Sequence, residues 1–261
     1  MVHFRGFYAW LKEPLSQRVL EDARQTELIQ QAWTDSGKVY GYRKLADDLR
    51  DAGETCSENR VARLASFAGI AAQIEYKRQP RRFGAKPSVV ADATLDRQFE
   101  VDAPDHVWVI DITYIRTHEG WPYLAVVIDL FTRRVVGWSM QSRMTTDLAL
   151  QALLVAVWRR KPKHRFLIHF DQRSQFTGKE WQSFLSKHNL DARMNIRGNC
   201  HDSAVAESLI HLLKRERIRQ PTYTTRDASR RDVFDYIEMF YNPTRKHTNN
   251  GILSPVDYET E

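Results

Sequence analysis

Cysteine is scarce in this chain, because its 261 residues include only Cys56 and Cys200. Two cysteines cannot build a disulfide framework, so the sequence predicts a protein of a reducing cytoplasm. Long apolar runs are also lacking. The longest uncharged one spans residues 121–128, only 8 residues, whereas a membrane-spanning helix needs about 20. The first residues are charged and have no long apolar stretch, so we expect neither a transmembrane segment nor a secretory signal.

An excess of acidic residues is lacking as well. Lys and Arg number 39 against 33 Asp and Glu, which gives a net charge of +6. Arginine supplies 28 of the 39 cations. A guanidinium group pairs bidentately with phosphate and keeps its charge at any working pH. A mildly basic enzyme of any kind is compatible with this net charge, but the arginine excess favours a polyanionic partner.

Changes in sequence pattern divide the chain into three zones. Residues 1–75 are predicted to be a helical, helix-turn-helix-like DNA-binding region. Residues 76–105 are interrupted by Pro and Gly and are predicted to be a basic linker. This linker, which contains Arg81 and Arg82, is either a solubilising spacer or a basic strap along a phosphate backbone. Residues 106–261 alternate strand and helix patterns and are predicted to be an α/β domain with a mixed sheet.

Three helices are predicted in the first zone. The first covers residues 17–33, with its apolar stripe at Leu20, Ala23, Leu28 and Ala32. The other two are short, cover residues 43–52 and 57–68, and each end at a glycine suited to a left-handed cap. This pair is either a helix-turn-helix that offers Arg60 and Arg63 to DNA or an ordinary helical hairpin with a solvated basic face.

Three β-rich runs open the third zone: VWVIDITYI, YLAVVIDLF and RRVVGWSMQ. The short connections between them are compatible with hairpins, and helices alternate with two further strands after them. Five tryptophans of this zone are predicted to be core residues rather than base-stacking platforms: Trp108, Trp121, Trp138, Trp158 and Trp181.

Three carboxylates are candidates for chemistry. Asp111 lies in the middle of a strand pattern, Asp171 directly follows a strand, and Glu207 lies near the start of a helix. Each alone has an ordinary structural explanation. As a set they offer an oxygen-only site for Mg²⁺, because a divalent cation keeps converging acids ionised. A two-metal site of this kind performs phosphodiester chemistry.

The helix that carries Glu207 has two distinct faces when residues are placed at 100° intervals. The predicted buried face consists of Val205, Leu209, Leu212 and Leu213. Glu207, His211 and Lys214 share the other side. A phosphate strand passing Glu207 would therefore meet the ammonium group of Lys214.

Several motifs resemble those of bacterial insertion-sequence transposases. They are DITYI at 111–115, GWPYLAVVIDLFTRRVVGWSM at 120–140, HFDQRSQFT at 169–177 and GNCHDSAVAESLIHLLKRE at 198–216. Thirty-five residues separate Asp171 from Glu207, as in the Asp, Asp-35-Glu (DDE) pattern of that superfamily. Three further segments resemble the same group: YGYRKLADDL, NRVARL and the tail FDYIEMFYNPTRKHTNNGILSPVDYE. The chain is identified as similar to the catalytic, second-frame product of the IS-three group, which is related to retroviral integrases.

This resemblance implies a fold and an activity. The fold is a ribonuclease-H-like integrase core, a mixed five-stranded sheet with flanking helices, preceded by a small all-α domain that is helix-turn-helix-like. Asp111, Asp171 and Glu207 are implied to be the catalytic, metal-binding triad, with two Mg²⁺ ions per active site and Mn²⁺ able to substitute. The implied reaction is cleavage of one DNA strand by water, followed by attack of the freed 3′-hydroxyl on another phosphodiester.

The resemblance also implies partners. They are double-stranded DNA at transposon ends and targets, further copies of the chain on that DNA, and a first-frame protein as partner or fusion. The expected location is the bacterial cytoplasm, at the nucleoid. The candidate DNA contacts are Lys214, His211, Arg197, Arg215, Arg60, Arg63, Arg81 and Arg82.

The chain departs from the group pattern beside Asp171. Phe170 replaces a usual small Ser, and Arg173 replaces a usual Gly. Two alternatives to an active transposase therefore remain open: a catalytically impaired copy that only binds DNA, and a ribonuclease-H-like nuclease that only hydrolyses.

Overall fold

The computed structural model describes residues 4, 8, 11, 15–73, 101–162, 166–170, 179–188, 190–194, 200–218 and 222–261. For residues 179, 192–194 and 200–203 it describes the backbone alone. The chain divides into two units, Met1–Glu75 and Tyr76–Glu261. Most of the expected linker at 76–105 lies outside the described residues. Within the described ranges, every helix is too short or too polar to cross a lipid bilayer.

Between residues 15 and 73, the first unit contains three helices: α1 (Gln17–Asp35), α2 (Tyr42–Asp51) and α3 (Glu58–Phe67). Ser16 and Ser57 begin α1 and α3, because each hydroxyl accepts a hydrogen bond from a backbone N–H three residues on, at 3.3 Å. The two glycines predicted to end α2 and α3 do adopt left-handed conformations, with φ of +82° at Gly53 and +70° at Gly69. Aliphatic residues of α2 and α3 form the core between them, namely Leu45, Leu49, Val61 and Leu64.

The predicted apolar stripe of α1 is wrong. Leu20 is 47% exposed, and the buried residues of the helix are Gln25 and Ile29. Asp22, on the same side of the helix as Gln25, forms ion pairs with two arginines of α3 at 2.7 and 2.8 Å. The buried side of α1 is the one that packs against α2 and α3, and the weak periodicity of α1 did not determine it.

The second unit is built on a mixed five-stranded sheet, which confirms the predicted fold class. Its strands are β1 (Val107–Tyr114), β2 (Tyr123–Asp129), β3 (Val135–Gln141), β4 (Phe166–Phe170) and β5 (Leu190–Met194). Their order is β3-β2-β1-β4-β5, with β1 at the centre. The first three strands pair antiparallel, whereas β1 with β4 and β4 with β5 pair parallel.

Helices flank this sheet. They are α4 (Thr146–Arg160), α5 (Lys179–Lys187), α6 (Cys200–Leu213), α7 (Arg226–Phe234) and α8 (Pro255–Thr260). Two of them continue with π-helical turns, α6 through Lys214–Ile218 and α7 through Asp235–Tyr241. Both helical segments therefore change their hydrogen-bonding pattern before they end.

The main core of the second unit lies between the sheet and helices α4 and α5. It contains Trp108, Ile110 and Ile112 from β1 together with the alanines 149, 152 and 156 of α4. These small residues let α4 approach β3 closely at Gly137. A Cβ atom at Gly137 would lie 2.3 Å from the carbonyl oxygen of Ala152. Only glycine fits at this crossing.

We expect Gly137→Ala to lower the free energy of unfolding by about 3 kcal/mol, because the backbone of α4 must move to admit the methyl group. Chemical denaturation of the full chain measures this change. Gly251→Ala is the matched control. Its φ is +61° but no atom lies within 4 Å of the added Cβ, so only backbone strain of about 1 kcal/mol is expected. Equal losses for both variants would contradict close packing at Gly137.

Candidate active site

Asp111 lies on β1, the central strand of the sheet, opposite Val126 of β2. Its neighbours Ile110 and Ile112 are buried in the main core. Because side chains alternate along a strand, Asp111 points to the opposite face, and it is half-buried there. Its Oδ1 accepts a hydrogen bond from the N–H of Ile112 at 2.7 Å.

Helix α6 packs against β1 and carries Glu207. The buried residues of α6 are Ala206, Leu209, Ile210 and Leu213, whereas Glu207 and His211 are exposed. The predicted face was therefore right for Leu209 and Leu213. It was wrong for Val205 and Leu212, which are only half-buried. The helix is rotated slightly from the position that a strict 100° count gives.

Asp111 and Glu207 line one cleft of about 290 Å³. The cleft lies where β1 and α6 meet. Its other lining residues are Ile112, Thr113, Tyr114, Tyr123, Met144, Ile210 and His211. Two of the three predicted carboxylates thus share one cleft, together with His211. Their positions differ by 96 residues in sequence, so the tertiary fold alone brings them together.

The third predicted carboxylate, Asp171, lies outside the described residues. Strand β4 ends at Phe170, the residue before it, and Phe170 pairs with Ile110, the residue before Asp111. In the part of the chain that the structure describes, no three His, Cys, Asp or Glu side chains form a group able to hold a metal. The oxygen donors of Asp111 and Glu207 are nevertheless of the type that Mg²⁺ prefers.

Phe170, which departs from the resembled pattern, is accommodated in the main core. It is 2% exposed, and its ring meets that of Trp181 edge-on, with centroids 5.5 Å apart. The larger side chain therefore points away from the cleft side of the sheet, as Ile110 does beside it. Arg173, the second departure, lies outside the described residues.

Beyond the carboxylates, Lys214 extends over an exposed aromatic pair. Its Nζ lies 5.0 Å from the ring centroid of Tyr114, a cation–π distance. The rings of Tyr114 and Trp121 meet edge-on with centroids 5.2 Å apart. The prediction of core tryptophans holds for Trp108 and Trp181 but is wrong for Trp121 and Trp158, which are 49% and 72% exposed.

The remaining candidate DNA contacts are held in different ways. Arg60 and Arg63 both form ion pairs with Asp22. Hydrogen bonds from their guanidinium groups, with the larger effect from Arg63, lower the pKa of the Asp22 carboxyl. Arg215 binds Glu216 at 3.1 Å. Arg81, Arg82 and Arg197 lie outside the described residues.

A buried ion pair fixes the end of the α6 segment. Glu216, in the π-helical turn after α6, accepts hydrogen bonds from Arg245 at 2.7 and 3.0 Å and from the hydroxyl of Tyr236 at 2.7 Å. Burial by itself raises the pKa of Glu216, but the hydrogen bonds and charge of Arg245 outweigh it, so the pKa lies below its ordinary value of 4.5. Sequence reasoning missed this pair, although Arg245 lies within the tail motif that carried the resemblance.

Three segments match known domain families. Residues 101–200 and 207–261 each match an integrase core domain, and residues 20–78 match an HTH-like domain. The chain is 38% identical over 258 residues to the transposase InsF for insertion sequence IS3A of Escherichia coli (strain K12), which covers 98% of this chain and 90% of that protein. It is 35% identical over 251 residues to the transposase for insertion sequence element IS904 of Lactococcus lactis subsp. lactis (strain IL1403), covering 95% and 98%.

A solved structure shares the fold. It is a chain in the cryo-EM structure of the simian T-cell lymphotropic virus intasome in complex with PP2A regulatory subunit B56 gamma. The TM-score is 0.50 at 19% identity, and the match covers 61% of this chain and 55% of that chain. At this level of identity the match concerns the fold alone, and it agrees with the five-stranded mixed sheet.

Fold and matches together define an integrase-core protein with an N-terminal helix-turn-helix-like domain. Within that class, the chain belongs to the IS3 family of insertion-sequence transposases, because it matches such a transposase over nearly its whole length. The resemblance drawn from the sequence motifs is confirmed.

We expect Arg245→Met to lower the free energy of unfolding by about 3–5 kcal/mol, because it leaves the Glu216 carboxylate buried without its cation. Replacing both residues by Met should recover most of this loss. The matched control is Arg159→Met, which breaks a partly exposed pair with Glu238 and should cost at most about 1 kcal/mol.

Denaturation at several pH values tests whether the stabilisation by Glu216 is lost in acid. Because the folded-state pKa of Glu216 is lowered, its stabilisation is complete above pH 4.5 and is lost as the pH falls through the folded-state pKa. Wild-type stability should therefore fall in acid more than that of the double Met variant. An equal acid response of the two proteins contradicts the assignment.

Proposed function

We propose that this chain cleaves a DNA strand at an insertion-sequence end and then transfers the freed 3′-hydroxyl to another phosphodiester, as a metal-dependent DDE polynucleotidyl transferase. The observation that carries this proposal is the cleft that Asp111 and Glu207 share at the meeting of β1 and α6, in a chain of the IS3 transposase family. Asp171 is proposed as the third carboxylate, because it follows Phe170 at the end of the strand beside β1.

The proposed cofactor is Mg²⁺, with Mn²⁺ able to substitute and two ions per site. The donors fit, because Asp111 and Glu207 offer carboxylate oxygens in a cleft that is open to solvent. A pair of bound ions would activate the attacking oxygen and stabilise the leaving oxygen of an in-line displacement.

The chain's own residues would bind and orient the DNA. Lys214 lies seven residues after Glu207, so its ammonium group and the Glu207 carboxylate project to the same side of the α6 segment. His211 lies between them on the cleft wall. We propose that Lys214 binds a phosphate next to the one that reacts, so that the reacting bond is positioned over the carboxylates.

The helix-turn-helix-like unit is proposed to bind double-stranded DNA near the cleavage point. Arg60 and Arg63 are bonded to Asp22, so they are proposed to contact phosphate either through their remaining N–H donors or by exchanging these bonds. Arg81, Arg82, Arg197 and Arg215 complete the proposed contacts. Assembly of several copies on DNA and a first-frame partner or fusion are proposed as well, with residues 76–105 as a basic linker between a DNA-binding region (1–75) and a catalytic core (106–261).

Asp111→Asn tests the reaction. We expect Mg²⁺-dependent cleavage to fall more than about 100-fold, because losing a direct metal ligand costs more than losing a group that merely supports one. The substrate is a labelled DNA fragment that carries the insertion-sequence ends flanking the gene, and products are resolved on a denaturing gel. Glu207→Gln should behave alike. The control is Glu180→Gln, an exposed acid of α5, which should leave cleavage unchanged.

The products distinguish the possible reactions. Joined strands support transfer, whereas cut strands alone indicate a nuclease that only hydrolyses. Binding without any cleavage by the wild-type protein, with Mg²⁺ or Mn²⁺, would indicate a copy that only binds DNA. Wild-type rates for Asp111→Asn would overturn the assignment of the site.

A further inference from the structure

We propose that Tyr114, Trp121, Arg116 and Lys214 form a platform that binds an unpaired nucleotide of the DNA strand next to the cleft. This inference rests on the proposed function, because it assumes that the cleft processes DNA. We call these four residues the nucleotide platform.

The aromatic part of the platform is an exposed pair of rings. Tyr114 is 54% exposed and Trp121 is 49% exposed, although their centroids lie 5.2 Å apart at 70°. Large aromatic side chains that stay half in water at the wall of a cleft are typical of surfaces that contact a ligand. Tyr114 also lines the cleft that contains Asp111 and Glu207.

The backbone beneath the rings is well held. The N–H of Ile115 donates to the carbonyl of Pro122 at 2.9 Å, and the N–H of Thr117 donates to the carbonyl of Gly120 at 3.0 Å. At the tip of this hairpin, the Glu119 carboxylate accepts a hydrogen bond from the N–H of Arg226 at 2.8 Å. The rings are therefore presented by a fixed hairpin, so that little order is lost when a ligand binds.

The charge around the rings suits a nucleotide. Lys214 places its ammonium group 5.0 Å from the centre of the Tyr114 ring. Arg116 is exposed two residues after Tyr114, just beyond the end of β1. A base can stack on the aromatic faces while its phosphates bind these two cations, which is the usual composition of single-strand binding surfaces.

Distance and stacking favour an unpaired nucleotide over duplex DNA. Tyr114 is three residues beyond Asp111 on β1, about 10 Å at the rise of a strand. Side chains an odd number of residues apart leave opposite faces of a strand, but Tyr114 lies at the end of β1 and lines the same cleft as Asp111. A nucleotide within a few positions of the scissile phosphate can span this distance. Bases in a duplex already stack on their neighbours, so only an unpaired or extruded base can present its face to Tyr114 or Trp121.

Binding of single-stranded and double-stranded probes tests the platform. The probes are a fluorescein-labelled mixed-sequence 15-nucleotide strand and its duplex, titrated by anisotropy with the full chain in EDTA so that no cleavage occurs. We expect Trp121→Ala to weaken single-strand binding by about 5- to 100-fold, the range of one base–aromatic stack. Duplex binding should change less than about twofold.

Three further variants sharpen the comparison. Trp121→Phe keeps an aromatic face and should retain most single-strand binding. Trp158→Ala removes another exposed tryptophan, 72% exposed on α4 and not part of the cleft wall, and should bind both probes like wild type. Lys214→Gln should reduce the slope of log affinity against log salt by about one for the single strand, because it removes one phosphate contact.

Several outcomes overturn the platform. The platform is wrong if Trp121→Ala binds the single strand as tightly as the wild-type protein does. It is also wrong if Trp121→Ala loses affinity equally for both probes, or if Trp158→Ala loses as much single-strand affinity as Trp121→Ala. Thermal unfolding checks that each variant is folded. If Trp121→Ala does not fold, Trp121→Leu replaces it, because leucine keeps the bulk without an aromatic face and should weaken single-strand binding in the same way. Loss of cleavage in Asp111→Asn with intact single-strand binding in Trp121→Ala rejects the platform alone. Unimpaired cleavage in Asp111→Asn rejects the proposed function instead.

Discussion

The packing of α6 against β1 is the constraint on which the candidate site depends. Asp111 and Glu207 belong to elements that are distant in sequence, and they share a cleft only because four aliphatic residues of α6 are buried beside the sheet. The end of the same helical segment is held by Glu216, whose carboxylate is bound by Arg245 and Tyr236. A buried ion pair far along the chain thus controls the position of a solvent-facing acid.

The sheet gives this packing a rigid base. Strand β1 pairs antiparallel with β2 along nearly its whole length, and its first four residues, Val107 to Ile110, also pair parallel with β4. Its core-facing residues lie against α4 and α5, which leaves the opposite face for Asp111 and α6. The same arrangement places Phe170, at the end of β4, beside Ile110, the residue before Asp111.

Two groups of side chains that could meet a polyanion differ in how firmly they are held. The aromatic pair of Tyr114 and Trp121 is carried by a well-bonded hairpin and faces solvent. In the other unit, Arg60 and Arg63 are engaged with Asp22 on the surface, where water weakens the attraction. A polyanion can compete with Asp22 for such arginines, whereas the aromatic pair is already in place before a ligand binds. Charge pairing that adds affinity and stacking that positions a nucleotide can therefore come from different parts of the molecule.

The family motifs, the mixed sheet, the glycine caps at Gly53 and Gly69 and the exposed positions Glu207 and His211 of α6 could be predicted from the sequence, because they depend on local turn chemistry and on regular periodicity. The buried face of α1, the exposure of Trp121 and the pairing of Glu216 with Arg245 could not, because they depend on packing between distant segments. A periodic pattern reports how a side chain lies on its own helix or strand. It does not report which neighbour covers that side chain, and burial and charge pairing are properties of the neighbour as much as of the residue.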